Sequence, residues 1–161
     1  MIIEQIYTKC LAQGAYYIES DGEAAVIDPL RETTPYIERA KKNKAKIKYI
    51  FETHIHADFV SGHLDLAKKT AATIVFGPNA KTNYDCYNAV DGETFKIGRL
   101  TLKVIHTPGH TLESVSYLLI DANGKNHALF SGDTLFLGDV GIPDVAQQYK
   151  NLSKEKLAEL L

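Results

Sequence analysis

The chain has 161 residues, 45% of them apolar and 24% charged, which fits one soluble globular domain over residues 1–161 with a core of ordinary size. A formal net charge of −2 offers no basic surface for nucleic acid, and the run Lys41, Lys42, Lys44, Lys46 and Lys48 reads as a solvated face. Cys10 and Cys86 stand in no CxxC spacing, no stretch approaches the ~20 apolar residues of a membrane span, and the start lacks a secretory pattern, so a cytoplasmic protein without disulfides, cysteine zinc site or membrane contact is expected.

Residues 2–7 alternate apolar and polar and read as a strand. Residues 15–19 and 23–28 are β-prone and meet at Asp21-Gly22, a dipeptide whose two positions both take positive φ in a tight hairpin turn. Thr34-Pro35 opens a helix, with Thr34 as N-cap and Pro35 at the first helical position, running to about Lys42. A strand follows over 46–52, then a polar histidine-rich loop, a helix over about 62–70 and a strand over 72–76. Residues 77–99 carry turn signals at Gly77-Pro78 and Asp91-Gly92 and yield no clear element. Strands are expected at 100–106, 115–120 and 126–131, the last pair turned by Asp121-Ala122-Asn123-Gly124. Residues 152–161 read as a helix capped by Ser153 that stops without a C-terminal signal, so a longer natural polypeptide is expected. The order fits an α/β (α+β) arrangement of sheets covered by helices.

Metal-ligand side chains fall where strands should end. His54, His56 and Asp58 follow Tyr49-Ile50-Phe51, and i, i+2 side chains in a bent loop can converge on one point. His110 lies in His106-Thr107-Pro108-Gly109-His110-Thr111, where Pro and Gly fix a sharp turn, and Asp133 lies in Ser131-Gly132-Asp133-Thr134. Each alone has a plainer reading: a surface histidine pair, a turn with an exposed histidine, a turn aspartate. Their combination points to a metal site.

The pattern Thr53-His54-Ile55-His56-Ala57-Asp58, followed by Thr107-Pro108-Gly109-His110-Thr111 and Ser131-Gly132-Asp133-Thr134-Leu135-Phe136, resembles the metallo-β-lactamase superfamily over nearly the whole chain. The resemblance implies an αββα sandwich, its second half cut short at residue 161. Two-metal members have a histidine after the Asp58 position and a further late histidine, which would fall beyond residue 161; Phe59 supplies no donor, so one ion is expected. His63, four residues on, is a weak stand-in for that ligand and more simply a solvent-facing or supporting residue.

A single-metal member resembles the persulfide dioxygenase branch, as do Gln13-Gly14-Ala15-Tyr16-Tyr17 and Glu52-Thr53-His54. That resemblance implies one Fe(2+) held by His54, His110 and Asp133, with positions left for a persulfide such as glutathione persulfide and for dioxygen, and sulfite and thiol as products. It places His56 and Asp58 beside the ligands as orienting catalytic residues. It is compatible with a homodimer and with rhodanese domains fused downstream. Ile142, in Gly141-Ile142-Pro143-Asp144, stands where the branch usually has Arg. Asp139 and Asp144 read as loop-structuring residues, His106 and His127 as structural, Cys10 and Cys86 as packed or free thiols, and any substrate contact of Tyr16, Tyr17, Tyr84 or Tyr87 is set against ordinary packing. Two rivals stand beside this: a Zn(2+) thioester hydrolase of glyoxalase II type, and a non-catalytic metal-binding domain.

Overall fold

A computed structural model describes residues 1–142, 153, 155, 156 and 159. Strands β1 (Ile2–Thr8), β2 (Gln13–Ser20) and β3 (Glu23–Ile27) form an antiparallel meander at one side of a six-stranded sheet. The Asp21-Gly22 turn between the last two has φ of 48° and 76°, as the sequence suggests. Strands β4 (Lys46–Phe51), β5 (Thr73–Phe76) and β6 (Tyr87–Asn88) continue the sheet in parallel. Parallel neighbours need crossovers, and helices α1 (Thr34–Asn43) and α2 (His63–Thr70) supply those on either side of β4. A second, antiparallel sheet has the order β10-β9-β8-β7, built from β7 (Thr94–Ile97), β8 (Leu100–His106), β9 (Val115–Ile120) and β10 (Asn126–Phe130). A small hairpin of β11 (Leu135–Phe136) and β12 (Asp139–Val140) stands beside them.

The period-2 pattern of the strands decides the layers. Ile18, Ile27 and Phe51 face the second sheet, where Leu102, Val104, Tyr117 and Leu119 meet them in the main core. Their neighbours Tyr17, Val26 and Ile50 face the other way, onto Tyr36 and Ala40 of α1 and Leu66 of α2. The metallo-β-lactamase architecture is thus present, with the α, β and β layers seen among the described residues. No helix among them is long and apolar enough to cross a membrane.

One local expectation changes. Thr33, not Thr34, holds the cap position of α1. Its hydroxyl instead accepts Lys69 Nζ at 2.7 Å, and Glu32 Oε1 accepts the Thr34 N–H at 2.9 Å. Within 77–99, β6 is too short to show a period, and β7 shows its alternation only at Phe95 and Ile97. Most of the helix expected at 152–161 lies outside the described residues; Glu155 and Lys156 are helical, and Ser153 Oγ accepts the Lys156 N–H at 3.3 Å as a cap would.

Candidate metal centre

Strand β4 lies between β3 and β5, and its ladder closes on both sides just as it ends: Asp28 N–H donates to Phe51 O and Glu52 N–H to Val75 O, each at 2.9 Å. The chain then turns toward the second sheet, where Thr53 O accepts the Val115 N–H at 2.8 Å. His54 is therefore delivered to the seam between the sheets, with only 4% of its side chain exposed. His110 reaches the same seam from the loop after β8, which is braced by the Thr111 N–H donating to Ser114 Oγ at 3.1 Å. Asp133 arrives in a short 3-10 turn after β10.

These three side chains, from three separate strand ends, come together. Asp133 Oδ2 lies 3.8 Å from His54 Nε2 and 3.6 Å from His110 Nε2, and one donor atom from each lies within 4.8 Å of the others. Two ligands of one ion with bonds of about 2.0–2.2 Å stand roughly 3–4 Å apart, so the spacing suits a shared small cation.

The proton positions agree with that role. Thr53 Oγ1 donates its one proton to Asp28 Oδ2 at 2.8 Å. At 3.0 Å from His54 Nδ1 it must then accept, which places the imidazole proton on Nδ1 and leaves Nε2 free. His110 Nδ1 donates to Ile142 O at 2.9 Å, leaving its Nε2 free in the same way. Burial pushes His54 down to about 3, so it stays a neutral donor; burial also raises the Asp133 carboxyl, an effect that a bound cation would oppose.

His56 does not join them. The two histidine rings are close, with centroids 4.2 Å apart, but His56 Nε2 faces a second buried group, 3.1 Å from Asp28 Oδ1 and 3.4 Å from Glu52 Oε2. The expected convergence of the HxH pair on one point is thus not what the loop does, because two buried carboxylates attract the second ring. Burial opposes a charge on His56, but Asp28 and Glu52 outweigh it and bring it up to about 9. Burial likewise opposes the charge on Asp28, whose carboxyl His56 nonetheless holds low, whereas burial pushes Glu52 up. Asp28 and Glu52 were not read as site residues from the sequence. The available signal was an acidic residue directly after each of two neighbouring strands, β3 and β4.

Phe59 covers the His56 ring, with centroids 4.3 Å apart. Asp58 is exposed and lines a cavity of about 570 Å3 together with His56, Phe59, Gln13, Tyr16 and Asp133. Asp133 is the one member of the first group in that wall. His63 is no part of the first group; its side chain is 13% exposed and its Nδ1 lies 3.3 Å from Glu52 Oε1. His106 Nε2 lies 3.0 Å from Leu112 O, a structural contact, and His127 is exposed. Asp139 Oδ1 accepts the Val140 N–H at 2.8 Å, and Asp144 lies outside the described residues. Tyr17 is buried and donates to Glu19 Oε2 at 2.5 Å, which removes it from substrate contact. Cys10 and Cys86 are free thiols.

Comparison with known proteins agrees with the fold. Residues 9–84 match the family model described as "Metallo-beta-lactamase superfamily". The chain is 34% identical over 140 residues to an Arabidopsis thaliana protein named "Hydroxyacylglutathione hydrolase cytoplasmic", covering 84% of this chain and 54% of that one. It superposes on a crystal structure of a metallo-beta-lactamase from Staphylococcus aureus subsp. aureus COL with a TM-score of 0.87 and 37% identity, over 99% of this chain and 49% of that one. It also superposes on ETHE1 from Myxococcus xanthus with a TM-score of 0.80 and 26% identity, over 99% of this chain and 68% of that one. The chain spans about half the length of the curated relative it matches.

Proposed function

The chain is a member of the metallo-β-lactamase superfamily, and from that premise we propose that it is the metal-binding part of an enzyme acting at the sulfur end of a low-molecular-weight thiol derivative. The observation that carries the reading is the convergence of His54, His110 and Asp133 beside a cavity wide enough for a small organic molecule. These three residues would hold one divalent ion. Such an ion supplies Lewis acidity toward a bound carbonyl if it is zinc, and redox chemistry if it is iron.

Hydrolysis of a thioester such as a hydroxyacylglutathione is the first reading, because the Arabidopsis relative carries that name. The exposed Asp58 carboxylate on the cavity wall would accept a proton from entering water or orient it. His56, set between Asp28 and Glu52, forms part of the same wall. Tyr16, Leu129 and Phe136 give the wall an apolar side for the carbon part of the substrate.

A second reading, oxidation of a persulfide by dioxygen at one ferrous ion, is favoured by Phe59. It stands at the sequence position where the resemblance to two-metal members calls for a histidine donor, and the two-imidazole, one-carboxylate set is the type used by non-haem iron oxygenases. The homodimer and downstream rhodanese domains belong with this reading.

One pair of assays tests both. Metal-loaded protein is given lactoylglutathione without oxygen and free thiol is measured; a second sample is given glutathione persulfide in an oxygen electrode and sulfite is measured. Oxygen-independent thiol release supports the hydrolase, and persulfide-dependent oxygen uptake supports the dioxygenase. No turnover in either, with metal bound, overturns the proposal.

A further inference from the structure

We propose that Glu52 is a positioning residue that sets how many imidazoles the metal centre presents, by holding His56 out of the His54–His110–Asp133 group with Asp28 and Phe59 beside it. The inference rests on the single-metal reading above and concerns the selectivity of that site.

The His54 and His56 rings are close enough for both to serve one ion, yet the two side chains sort into separate groups. Three contacts account for the sorting. Asp28 Oδ1 stands 3.1 Å from His56 Nε2, and its carboxylate is immobilised by the Thr53 N–H at 2.7 Å and the Thr53 hydroxyl at 2.8 Å. Glu52 Oε2 stands 3.4 Å from the same nitrogen, while its other oxygen accepts the Ser61 hydroxyl at 2.6 Å. Phe59 closes one face of the ring. His56 Nε2 is buried between the two carboxylates with Phe59 over its ring, so these three neighbours set where the ring sits.

Glu52 is the informative member of the set. Asp28 also orders Thr53, and through it the His54 tautomer, whereas the described contacts of the Glu52 carboxylate are to His56, Ser61 and His63. Two imidazoles with one carboxylate suit ferrous iron, and a third imidazole moves a site toward zinc. Phe59 thus withholds a donor of its own and also keeps a neighbouring one in place.

The test counts ligands directly. Zinc-loaded wild type, Glu52→Gln and Phe59→Ala are compared by X-ray absorption, and zinc is competed against ferrous iron by anaerobic dialysis. The expected result is two imidazoles in wild type and three in both variants, with preference for zinc rising about 10–100-fold, the size of effect that residues around a metal site exert. Adding His56→Ala to Glu52→Gln should restore two imidazoles and the wild-type preference. A merely structural role would weaken both metals alike and leave the count at two. Three imidazoles in wild type, or two with unchanged preference in both variants, overturns the proposal. Should Glu52→Gln fail to fold, Phe59→Ala carries the test alone. Turnover is not read, so failure here leaves the reaction assays to decide the function separately.

Discussion

Tyr117, on β9 of the second sheet, donates its phenolic proton to the backbone carbonyl of Glu52 over 2.9 Å, tying that sheet to the residue where the metal loop begins. Both groups are buried, and burial keeps the phenol protonated well above its ordinary range. Tyr117→Phe keeps the ring but leaves the carbonyl without that partner, which should cost about 1–3 kcal/mol. Urea unfolding monitored by circular dichroism should show a lower midpoint with an unchanged slope. An unchanged midpoint would mean that water or another donor satisfies the carbonyl.

Gly132 has φ of +50°, and a Cβ there would run into the side chain of Thr53, including its Cβ at 2.6 Å. Thr53 orients His54, and Gly132 precedes Asp133, so one methyl group disturbs two candidate ligand positions together. Gly132→Ala should weaken zinc binding by about 10–100-fold, the range reported for supporting residues around a metal. Competition with a chromophoric chelator measures it. Wild-type affinity would show that the loop shifts without moving the ligands.

How far the sequence could be read follows from where its signals lie. Long strands such as 100–106 and 115–120 announced themselves because one face is buried against the other sheet, which forces a period-2 pattern. His54, His110 and Asp133 were legible as candidate ligands because each lies within a few residues of a strand end with turn residues nearby. The Asp28–Glu52–His56 group was not legible, because Asp28 and Glu52 are 24 residues apart and meet only through the parallel pairing of β3 with β4. Pairing register is a tertiary property, and neither residue carries it alone. The direction of the His56 ring was hidden for the same reason.

Glu23 accepts the Gly98 N–H at 2.8 Å and pairs with Lys48 Nζ at 3.0 Å, and these contacts hold its carboxyl below the ordinary 4.5. A depressed folded value means that the stabilisation is fully present above pH 4.5 and fades as pH falls through the lower folded value. Glu23→Gln should therefore flatten the acid limb of a stability–pH curve below pH 4.5, while lowering stability at pH 7 by no more than about 1 kcal/mol, since the pair is partly exposed. An acid limb identical to wild type would assign that slope to other carboxylates.

Replacing any one of His54, His110 or Asp133 with Ala leaves two donors, too few to hold an ion firmly. Each variant should lose metal by elemental analysis after dialysis and lose turnover with it. A variant that keeps a full equivalent of metal at this site would show that its residue is not a ligand.

Ile142 offers a sharper contrast, because His110 Nδ1 contacts its backbone carbonyl rather than its side chain. Ile142→Arg preserves that acceptor, so metal affinity should stay within about twofold of wild type, well below the tenfold or more expected when a supporting contact is lost. A new cation beside the centre should instead act on the substrate, as a changed KM for an anionic thiol derivative. Gly141→Ala does the opposite. A Cβ there would collide with the Asp133 carbonyl and stand 2.8 Å from His110 Cβ, pushing two candidate ligands at once. That variant should lose metal affinity by at least about tenfold. Isothermal titration of both proteins with zinc decides the matter: equal losses would mean that the segment acts through its bulk, whereas a loss confined to Gly141→Ala assigns the orienting role to the backbone.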